Sequence, residues 1–188
     1  MANLNAPRGL KPVKKLGGGS VTNSTYTIAT GAGAIYVGDV VELTGTGKNI
    51  QQVTAGNLNS LGVFGGCSYK ASDGSIVHNG RWPGSVGATE AVAIVYDDPD
   101  IVYAVQANTC AEADVGQLAD WATSGGTAST GMSVGYLNVS AGTAVTGKDF
   151  QIIGLVPDGN NDYGAYAKVL VRFAQHAYRG DAATNIGV

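Results

Sequence analysis

Gly131-Met132-Ser133-Val134-Gly135 has the G-x-S-x-G spacing of a serine nucleophile. Asp149, Asp158 or Asp162 and then His176 follow it in the order of a hydrolase triad. That chemistry needs a strand running into Ser133 and a helix leaving it, so that the hydroxyl stands on a sharp elbow beside its base. The preceding run, Ser124-Gly125-Gly126-Thr127-Ala128-Ser129-Thr130, has loop composition, and no βαβ alternation surrounds it. In a chain this rich in Gly and Ser the match is read as chance, and no catalytic residue is assigned.

Phosphate chemistry fares no better. Gly45-Thr46-Gly47-Lys48 ends like a P-loop, but Asn49 stands where magnesium needs a Ser or Thr, and Glu42 where the first Gly belongs. Gly31-Ala32-Gly33 is not completed, because Tyr36 takes the third Gly position. Both read as hairpin turns. Asp97-Asp98-Pro99-Asp100 groups hard oxygen ligands of the kind calcium takes. Its place between two apolar runs and its Pro fit a turn better. His78 and His176 are too few and too isolated for a metal centre. Cys67 and Cys110 carry no zinc spacing and read as reduced core thiols. No metal and no cofactor is expected. Asn23-Ser24-Thr25 and Asn138-Val139-Ser140 match a glycosylation acceptor by chance, since no secretory signal is expected in the opening residues.

The elements that would position any site are strands. The 188 residues include 29 Gly, with 44% hydrophobic and only 13% charged residues and a net charge of −3. Disordered chains have the opposite balance, so the Gly content points to short strands joined by tight turns. About eight strands are expected from the alternation in Thr25–Ile28, Ile35–Leu43, Leu61–Tyr69, Ile76–Val77, Ala91–Tyr96, Ile101–Ala107, Phe150–Val156 and Tyr166–Phe173. Ala91–Tyr96 and Ile101–Ala107 are near-continuous apolar runs, which suit strands buried on both faces. Spacings near three and four through Ala111, Val115, Leu118, Ala119 and Ala122 predict one short helix over 111–122, with Thr109 and Glu112 as its capping box. Residues 123–149 read as a Gly/Ser/Thr-rich loop. Residues 1–24, interrupted by Pro7, Pro12 and Gly17-Gly18-Gly19, read as an extended N-terminal arm ahead of a β domain over 25–188. The expected class is all-β: a single β-sandwich, jelly-roll-like, or a small barrel.

Partners are bounded by charge. Lys11, Lys14 and Lys15 form the one basic group, too small for a nucleic-acid stripe. No apolar run approaches the roughly 20 residues that span a bilayer as a helix. Neither nucleic acid nor membrane is an expected partner. A surface so poor in charge suits a protein whose faces become covered by others.

Several stretches, taken in order, carry a resemblance. They are Asn5-Ala6-Pro7-Arg8-Gly9-Leu10-Lys11-Pro12-Val13, Gly38-Asp39-Val40-Val41, Leu61 to Tyr69, Arg81-Trp82-Pro83-Gly84, Tyr96-Asp97-Asp98-Pro99, Val105-Gln106-Ala107 and Asn161 to Tyr178. Nearly the whole chain resembles small proteins encoded beside the major capsid gene of tailed phages, which look like head decoration, or cement, proteins. The resemblance implies a non-enzymatic subunit made in the host cytoplasm that binds the outer surface of the capsid and braces it against internal DNA pressure. Its partners would be the major capsid protein and its own copies, as a trimer in preference to a dimer. The expected contact residues are Asn5, Pro7, Arg8, Leu10, Lys11, Pro12, Lys14 and Lys15 on the arm, with Trp82 and Trp121 as anchors buried against a partner. An arm of this kind would be removable, leaving a folded domain. The alternative functions are a receptor- or glycan-binding β-sandwich and a minor head–tail connector.

Overall fold

The computed structural model describes residues 3–53, 60–84, 89–122, 125–139 and 148–179. The strands are β1 (Lys11–Lys15), β2 (Ser24–Ile28), β3 (Ile35–Tyr36), β4 (Val40–Leu43), β5 (Asn49–Gln52), β6 (Ser60–Lys70), β7 (Ile76–Asn79), β8 (Arg81–Trp82) and β9 (Thr89–Tyr96). There follow β10 (Ile101–Gln106), β11 (Thr109–Cys110), β12 (Leu118–Ala122), β13 (Gly126–Thr127), β14 (Met132–Ser133), β15 (Tyr136–Asn138), β16 (Phe150–Leu155), β17 (Gly164–Ala165) and β18 (Lys168–Phe173). The class is all-β, as the composition predicts.

Two six-stranded sheets dominate. In the first, the order β4-β5-β2-β9-β6 closes into a five-stranded barrel, because β6 pairs with β4 on one edge and β9 on the other. Closure removes the free edges that a sheet otherwise presents. β7 extends β6 beyond the barrel, from Cys67↔Asn79 to Lys70↔Ile76. The interior holds Tyr26, Ile28, Ile50, Leu61, Phe64 and Val95.

The second sheet runs β1-β10-β18-β16-β12-β15. A bridge between Ala107 and Leu137 brings β15 back to the end of β10, so this sheet also curls onto itself. Its core stacks aromatic rings, with Phe150 and Phe173 centred 4.6 Å apart and Tyr103 edge-on to Phe173 at 5.5 Å. Burying each such side chain contributes roughly 1.5–3 kcal/mol. β18 shows how the sequence builds this: Val169, Val171 and Phe173 point inward while Lys168, Leu170 and Arg172 alternate outward.

Four expectations need correction. The helix over 111–122 is absent: Glu112–Asp114 makes a single 3-10 turn and Leu118–Ala122 is a strand. Gly116 at φ +88 ends the turn, and Ala119 and Trp121 alternate into the core once 118–122 pairs with β15 and β16. Thr109 lies in β11 and caps nothing; the Asp114 carboxylate takes the Ala111 N–H at 2.7 Å instead. Tertiary pairing therefore overrides a weak helical period.

The leading segment is extended but is not a removable arm. Lys11–Lys15 pairs with β10 as the outermost strand of the second sheet, and Leu10 sits in the core. Gln106 holds the run before it, accepting the Ala6 N–H at 2.9 Å and donating to the Leu4 carbonyl at 3.1 Å.

β9 is buried on one face only. Ala91, Ala93 and Val95 point into the barrel, whereas Val92 and Ile94 are exposed. Within 123–149, residues 123–124 and 140–147 lie outside the described residues, and the remainder contains the β13–β14 ribbon and β15 rather than a plain loop.

Candidate functional site

Trp82 and Trp121 are not partner anchors. Trp121 is 1% exposed and tilts against Phe150, and Trp82 packs edge-on to Tyr69 while its Nε1–H donates to the Ala32 carbonyl at 3.3 Å. Both are core residues of this chain, and Leu10 belongs with them. Lys15 is half-buried in an ion pair with Asp98, while Lys14 is exposed.

The rest of the N-terminal segment divides two hollows. Asn5 and Pro7 line one of about 390 Å³, whose Gln106 and Asn108 amides are already engaged by the framework. Arg8, Leu10, Lys11 and Pro12 line a second, of about 590 Å³, between the two sheets, which Lys168 reaches from β18. Its walls include Phe64, Tyr96, Met132 and Val156. The structure thus brings Arg8 and Lys11 together with a lysine about 160 positions away in sequence.

The serine motif is structural. Ser133 is buried, its Oγ accepts the Gly135 N–H at 2.9 Å, and it hydrogen-bonds the Asp39 carboxylate. Gly135 is a glycine because a Cβ there would lie 2.2 Å from the Trp121 ring. His176 lies elsewhere, edge-on to Phe173, with its Nδ1 accepting the Tyr178 N–H at 3.1 Å. Asp149 accepts the Trp121 N–H at 2.8 Å, Asp158 pairs with Lys168, and the Asp162 N–H donates to Asn3. No member of the sequence triad meets another.

Buried ionisable groups record the same architecture. Burial pushes Asp39 up to about 6, against hydrogen bonds from Ser133, the Tyr36 N–H and Gln52. Burial likewise raises Asp149 to about 6. Burial, aided by Arg179, pushes the His176 imidazole down to about 4. Cys67 and Cys110 are free and buried, and desolvation raises each thiol to about 11, far from a reactive thiolate.

The acidic turn is a tie-point. Asp97 accepts the Tyr26 hydroxyl at 2.7 Å, Asp98 pairs with Lys15 and takes the Asp100 N–H at 2.9 Å, and Asp100 meets Arg179 at 2.7 Å. These bonds join the barrel, β1 and the segment after β18. The Gly45–Lys48 run is a β4–β5 turn, with the Thr44 N–H on the Asn49 carbonyl at 3.0 Å.

One outward face escaped sequence reasoning. Cross-strand register places Thr25 beside Ile94 and Gly66 in one row, and Thr27 beside Val92, Ser68 and His78 in the next. Ile76, 72% exposed, continues the face beside Lys70, and Glu90 is exposed on β9 two residues before Val92. Val92 and Ile94 remain 38% and 42% exposed there. The signal was present in the Thr25/Thr27 alternation of β2, but only the pairing of β2 with β9 shows that Val92 and Ile94 share its outer side.

No family model, no curated protein and no solved structure matches this chain.

Its geometry supplies two surfaces able to engage other molecules: the outer face of β2, β9, β6 and β7, with its exposed Val92, Ile94 and Ile76, and the cationic groove between the sheets.

Proposed function

We propose that this chain is a structural virion protein that decorates the outer surface of a tailed-phage capsid and braces the head against the pressure of packaged DNA. The observation that carries the reading is the outer barrel face. Val92 and Ile94 stand among Thr25, Thr27 and Ser68 in rows nearly free of charge. Exposed aliphatics rimmed by such polar residues suit a surface covered in an assembly. Self-association through this face, as a trimer in preference to a dimer, places several copies on one symmetry axis of the major capsid protein. Clustering then raises effective concentration, so each copy needs only a modest contact. The closed barrel suits a bracing role, since it leaves no sheet edge of its own to pair at random on a crowded lattice.

The test is heat-induced DNA release from purified heads. Heads stripped of the chain should release DNA at a lower temperature, and adding the chain back should restore the original value. Equal release temperatures for stripped and restored heads reject the proposal.

A further inference from the structure

We infer that the groove between the two sheets is a docking site for an extended acidic peptide segment that carries an apolar side chain. The chain as a whole has a net charge of −3, yet three of its 11 cationic side chains, Arg8, Lys11 and Lys168, line this groove. No carboxylate is among the described residues that line it. Arg8 and Lys11 have no ion pair among the described residues. Lys168 has one exposed contact, with Asp158 at 3.3 Å, which screening by water makes weak and exchangeable.

The groove between these charges is apolar, walled by the partly exposed Tyr96, Met132 and Val156, and its volume of about 590 Å³ exceeds what one ion fills. A free inorganic anion would satisfy the cations and leave these walls wet. A neutral apolar ligand would leave the guanidinium and the ammonium groups unused. An extended peptide with carboxylates on either side of an aromatic or aliphatic residue meets both demands. Charge-assisted bonds to Arg8 and Lys11 fix its direction, and the apolar side chain supplies buried area. The site rests on the proposed function only for the source of that peptide, an acidic segment of the capsid surface.

The full chain is tested with a fluorescein-labelled octapeptide in which glutamates flank a central Phe-Leu pair, read by anisotropy at low salt. Saturable binding is expected, weakened by added salt and reduced at least about ten-fold in R8Q/K11Q, which removes two charge-assisted contacts. A peptide of glutamate alone should bind more weakly, and one with Lys in place of Glu should not bind. V156E, which sets a carboxylate of the chain itself inside the groove, should also abolish binding. Equal affinity of wild type and R8Q/K11Q, equal affinity of the peptides with and without Phe-Leu, or no binding at all overturns the proposal. Peptide binding by a chain that is absent from particles keeps the groove and removes the decorating role. Particles decorated equally by wild type and R8Q/K11Q remove the groove as capsid contact and keep the decorating role.

Discussion

Gly9 and Gly38 lie face to face, so close that a Cβ on Gly9 would stand 2.6 Å from the Gly38 carbonyl oxygen. The same crossing is bonded on both sides: the Gly9 N–H donates to Gly135 at 3.2 Å and the Leu10 N–H to Gly38 at 2.9 Å. The N-terminal segment is therefore threaded between the barrel and the second sheet, and holds each to the other.

Gly9→Ala should destabilise the chain by about 1–3 kcal/mol, because φ is +68 and the added methyl meets backbone. Gly17→Ala, with nothing within 4 Å, should stay within about 0.5 kcal/mol of wild type. Urea unfolding at equilibrium measures both. Equal midpoints for the two variants would mean that the crossing does not bear on stability.

Truncation of residues 1–20 should lower the melting temperature of the whole domain, since it removes β1 and the core residue Leu10. The exposed double variant R8Q/K11Q should melt with wild type, which is why it, and not truncation, probes contact with a partner. Scanning calorimetry distinguishes the cases, and a truncated chain as stable as wild type would restore the picture of a dispensable arm.

Stability against pH should show two opposed contributions. His176 is pushed down to about 4, so between its unfolded value near 6.5 and that point the unfolded chain binds more protons, and stability falls as pH falls. Asp39 and Asp149, raised to about 6, take up protons first in the folded chain, so each adds stability as pH falls from 6 towards 3.8. H176Q should therefore gain on wild type on acidification through this range, and D39N should lose ground to it. Melting temperatures from pH 7 to 4 give the comparison, and parallel curves for all three proteins would contradict the burial of these groups.

Charging the outer barrel face should abolish self-association without unfolding the barrel. In V92K/I94K both new side chains point outward from β9. Sedimentation velocity should show wild-type oligomers and a monomeric variant with an unchanged circular dichroism spectrum. Oligomers that survive in V92K/I94K would move the interface elsewhere.

The all-β class was legible because Thr, Val and Ile alternate between glycine-rich turns, as in β18. The boundaries between elements were less so. Leu118–Ala122 has spacings that satisfy a helix and a strand alike, and only the partners β15 and β16 decide between them. Ile101–Gln106 and Ala91–Tyr96 look the same in sequence, yet the first is buried on both faces and the second on one. The difference lies in what the fold packs against each face, which the run of residues does not record. The candidate site divided in the same way. Arg8 and Lys11 were visible as cations near the start, but Lys168 joins them only through the fold. The two Trp residues were visible as large aromatic groups, and nothing local reveals whether such a group meets its own core or a partner.

The central claim, that this chain repeats across the outside of a capsid lattice, is tested most directly by a cryo-EM map of particles purified from cells that produce it. The account predicts density fitting the five-stranded barrel and its curled second sheet at many symmetry-equivalent positions on the outer surface, with the groove of Arg8 and Lys11 turned towards the shell. Particles whose outer surface lacks this density, or carry it only in one ring at the tail vertex, would contradict it.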